Sequence, residues 1–167
     1  MKSETIQLTR LSPIQSTTKK AKQLRPRHLK LLSYLRTNSR DKLSIISKKT
    51  KIPTSTLFDL LRELQSDVIR KSTVILNYSL LGYHTRAQIA LKSKNDKEGL
   101  KKHLLCHNNV NQVYKINNNY DFLIETVHKN IIDLDDFLEN INTKFGIEKK
   151  QMHYLINDLK REGFEIA

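Results

Sequence analysis

Cysteine occurs once in the 167 residues, at Cys106, and glycine only four times. One cysteine rules out an internal disulfide and any cysteine-based metal centre, and it fits a reducing cytoplasm. The four glycines stand apart from one another, so no glycine-rich phosphate loop is present. No stretch approaches the ~18 consecutive apolar residues of a membrane span. The opening "MKSETIQLTRLSPIQ" has neither an apolar run nor a small-residue cleavage site, and no secretory signal is expected.

Acid is scarce at the front of the chain. Residues 1–51 hold 14 Lys/Arg against Glu4 and Asp41, whereas residues 52–167 hold 16 against 15. The formal charge of +13 therefore sits almost wholly in the first third. A basic front with a neutral back points to a polyanion that is neutralised from one end.

Residues 1–25 are polar without a sustained period and suggest a flexible basic arm. Helical periodicity then begins. Leu29, Leu31, Leu32 and Leu35 give a helix over about 26–37, with Pro26 in its first turn. Leu43, Ile46 and Ser47 start a shorter one over 42–50. After the turn "TKIP", Thr54 and Ser55 suit caps for a third helix, whose inward stripe is Leu57, Leu60, Leu61 and Leu64. Helix, short helix, tight turn and helix make a helix-turn-helix over 26–70.

"VIRKSTVILNYSLLGY" follows as one or two strands or a hinge, with 71–82 as the linker. From 83 to 167 the pattern becomes strand, helix, strand, strand, helix, strand. The strands are "YHTRAQIALK", "VNQVYKI", "YDFLIETVH" and "QMHYLI". The helices carry Leu100, Leu104 and Leu105, then Ile131, Leu134, Phe137, Leu138, Ile141 and Phe145. The fold class is α+β: a winged helix-turn-helix followed by a ferredoxin-like βαββαβ domain. An antiparallel sheet with both helices on one side leaves a free face, so self-association is expected.

The helix-turn-helix, the Leu-Gly-Tyr of the linker and "VNQVYKINNNYDFLIETV" together resemble the Lrp/AsnC family of transcription regulators across residues 27–160. The resemblance implies a sequence-specific regulator that binds double-stranded DNA. It also implies self-association as a dimer, with an octamer of four dimers conceivable, and modulation by a small-molecule effector such as an amino acid. Several positions depart from the family pattern: Pro53 stands where the family often has Ser, so that Pro53 or Thr54 takes over helix initiation, Leu60 stands where it often has Arg, and "LQSDVI" is one residue shorter, without the usual Gly. Lys51 stands where the turn usually has Gly, and Asn118-Asn119-Tyr120-Asp121 replaces the usual Gly-x-Tyr-Asp.

A recognition helix reads base edges with its first exposed side chains. Those are Thr54, Ser55, Thr56, Phe58 and Asp59, with Arg62 one turn further on. Lys48, Lys49 and Lys51, and Arg25 and Arg27 before the first helix, suit phosphates. Asn118, Asn119, Tyr120 and Asp121 are the candidate effector residues, with Asn118 expected to crowd a standard amino acid. Asp133, Asp135, Asp136 and Glu139 fit a solvated helix face better than a metal site. The histidines are taken as scattered and Cys106 as a small core or near-core residue, so no metal, cofactor or catalytic group is expected. Two alternatives stay open. One is an enzyme of the same architecture, like siroheme decarboxylases, although Tyr114, Lys115 and Tyr120 come without a His or Arg between Val110 and Val127. The other is a DNA-architectural protein with little sequence preference.

Overall fold

The computed structural model describes residues 23–164. They form two compact units, one carried by residues 23–75 with 160–164, the other by Leu76–Leu159.

The first unit holds three helices, α1 (Pro26–Thr37), α2 (Leu43–Thr50) and α3 (Thr54–Asp67). Proline opens α1 because its missing N–H is unneeded in a first turn. Leu31 and Leu32 of α1, Ile46 of α2 and Leu57, Leu60 and Leu64 of α3 close on one another, and Ile52 of the turn plugs the gap. Three short helices cannot hold their shape by propensity alone, so this shared apolar cluster is what fixes them. Leu29, expected in the inward stripe, is only half-buried.

The linker differs from the expectation of strands. Residues 69–77 form no strand, and Val74, Ile75 and Leu76 stand 62%, 58% and 44% exposed. A strand needs an edge to receive its N–H and C=O groups, and no described segment pairs with this one. Nor does any described strand form a wing. A single 3₁₀ turn, Ser79–Leu81, follows and closes at Gly82 with φ +82°.

The second unit runs β1 (Thr85–Ser93), α4 (Lys97–Cys106), β2 (Val110–Lys115), β3 (Phe122–His128), α5 (Ile131–Phe145) and β4 (Ile147–Tyr154). The sheet order is β2-β3-β1-β4, with β1 antiparallel to both β3 and β4. This is the ferredoxin-like arrangement that the pattern predicts. Ala87, Ile89 and Leu91 of β1 face the same way as Phe122 and Ile124 of β3, and α4 and α5 cover them with Leu100, Leu104, Leu134, Phe137, Leu138 and Ile141. Strand alternation turns Arg86, Gln88, Ala90 and Lys92 to the opposite face, beside Leu123 and Glu125.

Three expectations fail here for local reasons. β4 begins at Ile147, four residues early. It is an edge strand, and its "IEKKQMHY" is too polar for alternation to announce it. Leu105 is 42% exposed and Cys106 is exposed, because Leu100 and Leu104 set the inward line of α4 and the next two residues rotate past it. Ile131, 58% exposed, lies in the first turn of α5, before the buried stripe starts at Leu134.

Candidate nucleic-acid interface

Three hydroxyl and backbone bonds shape the turn between α2 and α3. Thr50 Oγ1 donates to the carbonyl of Ile46 (2.8 Å) and accepts from the Ile52 N–H (3.3 Å). Ser47 Oγ donates to the Ile52 carbonyl (2.6 Å). Together they pin Ile52 into the core and force the residue between into the left-handed region: Lys51 has φ +58° and ψ +26°. Its charged end is therefore thrown outward at the turn, exposed. Thr50 and Ser47 were not singled out as turn-fixing residues by the sequence pattern. The spacing of a hydroxyl two residues before a buried turn residue was the available signal.

Pro53, at φ −54° and ψ +143°, occupies the N-cap of α3, and no side chain caps the helix. This corrects the expectation that Thr54 and Ser55 cap it. They are already helical, one and two residues inside, because the fixed φ of proline suits the extended cap position. The first turn carries no acid. Its backbone N–H groups thus remain available for an outside acceptor. Thr54, Ser55, Phe58, Asp59 and Arg62 are exposed and Thr56 is half-buried. The Arg62 guanidinium lies 5.7 Å from the centre of the Phe58 ring.

The basic residues flank this helix end. Lys48 is exposed. Lys49 lies 3.8 Å from Asp41 and 5.8 Å from the centre of the Tyr34 ring, so its ammonium is loosely held above α1. Arg25 reaches Glu63 of α3 (3.5 Å), and Arg27 is exposed. Behind Arg25 sits a residue that the sequence pattern gave no role. His28 is 3% exposed, its Nδ1 accepts the Arg25 N–H (3.2 Å) and its Nε2 lies 2.9 Å from Glu63 Oε2. Since Nδ1 accepts, the neutral ring carries its proton on Nε2 and donates to Glu63. The start of α1 is thereby tied to the middle of α3. The rest of the expected basic arm lies outside the described residues.

The second candidate set forms a turn in the other unit. Asn118 and Asn119 both adopt left-handed φ, +59° and +69°, which asparagine tolerates better than most residues. Asn118 and Asn119 are exposed, and Tyr120 Oη donates to Gln151 Oε1 (3.3 Å). Asp121 is engaged within the chain. Its Oδ2 accepts the Ser93 N–H (3.0 Å) and its Oδ1 pairs with Lys97. The Lys97 hydrogen bond, helped by the Ser93 N–H, holds the Asp121 carboxyl below the usual carboxylate range. The backbone of Asp121 is also bonded on both sides, to Leu91 and Ile116.

The histidines are less scattered than their sequence positions suggest. His103 and His107 stand one helical turn apart with ring centres 5.3 Å apart, and Phe137 lies 4.8 Å from His107 and 5.4 Å from His128. Burial pushes all three titrations down, and the Lys144 charge adds to this for His103 and His107. Among the described residues no cluster is set to hold a metal ion, and no helix is long and apolar enough to cross a membrane.

No protein-family model matches the chain. Solved structures share its fold. AsnC of E. coli superposes with a TM-score of 0.76 at 17% identity, over 87% of this chain and all of that one. LrpC of B. subtilis gives 0.76 at 18%, over 83% and 99%. A transcriptional regulator from Neisseria meningitidis, solved as a complex with L-Met, gives 0.78 at 15%, over 87% and 97%. The decisive relative is the HTH-type transcriptional regulator FL11 of Pyrococcus abyssi, 31% identical over 121 residues, which are 71% of this chain and 80% of that protein. The chain belongs to the Lrp/AsnC family. It is a helix-turn-helix, DNA-binding transcription regulator. An uncharacterized HTH-type regulator of Pyrococcus horikoshii is a further relative, 27% identical over 135 residues, 80% of this chain and 91% of that protein.

Proposed function

We propose that the regulator selects its DNA sites through the N-terminal turns of α3, with Thr54, Ser55, Thr56, Phe58 and Asp59 at base edges. Lys48, Lys49, Lys51, Arg25, Arg27 and Arg62 hold phosphates in this reading. The observation that carries it is the left-handed Lys51 directly before a helix end with no side-chain cap and no acid in its first turn. A helix end left that way has donors to spare for phosphate, and a lysine in place of the usual glycine adds a charge beside them. Phosphate contacts set register and side chains at base edges set sequence.

The regulator works as at least a dimer in this proposal. Support comes from the sheet face opposite α4 and α5, where Ala90 and Leu123 lie beside the Arg86–Glu125 ion pair (3.2 Å). Exposed Val74, Ile75 and Leu76 of the linker are a second apolar strip that one chain leaves uncovered. A dimer presents two α3 helices to half-sites about one helical turn apart, ~34 Å. An octamer remains a proposal of the same kind. For the effector, Asp121 is engaged by Lys97 and Ser93, and Asn118 adds a side chain where glycine would leave space. A standard amino acid is therefore proposed to bind weakly or not at all.

The test is selection of bound fragments from a random duplex pool. Thr54→Ala or Thr56→Ala should change the preferred sequence, at about 1–3 kcal/mol per lost base contact, while Lys49→Ala weakens all sequences about equally. If the threonine variants keep the original preference, α3 does not read through them. Sedimentation of the protein as a monomer at micromolar concentration, with and without DNA, would remove the dimer.

A further inference from the structure

Phe58 is a phenyl ring held in water on a helix otherwise well ordered by its core. The inward stripe of α3 is Leu57, Leu60 and Leu64, and Phe58 stands outside it, 55% exposed. A single exposed aromatic is ordinary on a protein surface. Its company here is not that of an ordinary surface residue. Thr54 lies one turn before it and Arg62 one turn after, at the i, i+4 spacing that stacks side chains on one face. The Arg62 guanidinium sits over the ring, 5.7 Å from its centre. One face of the phenyl is therefore taken by a cation and the rest of the ring points away from the protein core.

Phenylalanine has no donor and no acceptor, so it cannot take part in the hydrogen-bond code of base edges. The major groove offers an apolar partner at one base only, the C5-methyl of thymine. We infer that Phe58 recognises a thymine through that methyl group, and that Arg62 positions the ring by stacking on it while directing its charge to the neighbouring phosphate. The inference rests on the reading of α3 as the base-reading helix. A second copy of the chain is a poorer occupant of this ring. Exposed Lys48 and Lys51 stand at the same helix end and repel a like-charged surface, whereas they attract a phosphate backbone. The ring is also ringed by Ser55, Asp59 and Arg62, too polar a setting for an apolar interface.

The experiment uses the full chain and the duplex selected from the random pool. Each dT is replaced in turn by deoxyuridine, which pairs identically and lacks only the methyl. At one thymine in each half-site the replacement should weaken binding about fourfold, the worth of one buried methyl-sized group. Phe58→Ala should remove the sensitivity at that thymine and leave other positions unchanged, while Phe58→Leu, still apolar, retains part of it. Arg62→Met should weaken all sequences and lower the salt dependence without moving the sensitive thymine. A selected sequence without thymine overturns the inference, as does a Phe58→Ala variant that loses as much affinity to deoxyuridine as the unmodified protein. In those cases the base-reading helix stands if Thr54→Ala or Thr56→Ala still alters preference. A pool that yields no preferred sequence overturns both.

Discussion

Replacing Lys51 should move stability and DNA affinity in opposite directions. Lys51 is the only residue between α2 and Ile52, and its φ of +58° is set by the Thr50 and Ser47 hydroxyls rather than by its own preference. An L-residue with a Cβ pays roughly 1–2 kcal/mol for that region. Glycine has no such penalty, but it gives up about 0.5–1 kcal/mol more chain entropy on folding. The net gain for Lys51→Gly is about 0.5–1 kcal/mol, which for a unit of this size is a rise of about 2–8 °C in its melting temperature. Asparagine should fall between, since it tolerates the left-handed region. Alanine should gain nothing, because it keeps the Cβ.

Affinity should follow a different order. Glycine, asparagine and alanine all remove the ammonium, so all three should lose about one phosphate contact. The slope of log affinity against log salt should shrink by about 0.9 for each of them alike. Thermal unfolding followed by circular dichroism, paired with a salt titration of binding, separates the two effects. A glycine variant less stable than the unmodified protein would refute the strain argument. A salt slope that differs between the alanine and glycine variants would refute the assignment of Lys51 to a phosphate.

Two further outcomes follow from the second unit. The pKa values of His103, His107 and His128 are lowered by burial, so the unfolded chain takes up these protons first as pH falls. Their contribution is fully present above about pH 6.5, the ordinary histidine value, and is lost as pH drops from there toward the lowered folded values. Urea unfolding at pH 7.5 and pH 5.5 should show this loss, and His128→Gln should shrink the difference; an undiminished difference in that variant would remove His128 from the account. Asp121→Asn keeps an acceptor for the Ser93 N–H but gives up the Lys97 pair, which is half in solvent on the lysine side, so the loss should be modest, about 1 kcal/mol. Asp121→Ala gives up both and should cost more, about 2 kcal/mol by urea unfolding; equal stability of the alanine variant and the unmodified protein would show the lock to be idle.

What the sequence made legible was whatever a single element decides for itself. Pro26 and the Leu31/Leu32 pair placed α1 at its observed bounds, and the apolar line through Leu134, Phe137, Leu138 and Ile141 placed α5. Central strands β1 and β3 announced themselves because both are flanked by neighbours that demand an apolar face. Features that needed a partner were hidden. Edge strand β4, expected only from Gln151, has one neighbour and little apolar pattern where it begins, and the linker pairs with no strand among the described residues. The capping of α3 was misjudged because Thr54 and Ser55 are good at either side of a helix boundary, and a proline one residue earlier shifted that boundary.

The site residues divide on the same physical line. Phe58 and Lys51 could be singled out because exposure at a helix face and a left-handed turn are local matters. The roles of Asp121 and His28 could not, because each is settled by a side chain far along the chain: Lys97 for Asp121, Glu63 for His28. An aspartate beside a turn looks available for a ligand until the fold brings an ammonium to it. The candidate DNA interface and the candidate effector turn are therefore not equally placed for function. At the helix end, no side chain among the described residues accepts from the donors of the first turn. At the turn, the carboxylate has already been given one partner on each oxygen, and a ligand that needs it must share it with Lys97 and the Ser93 N–H.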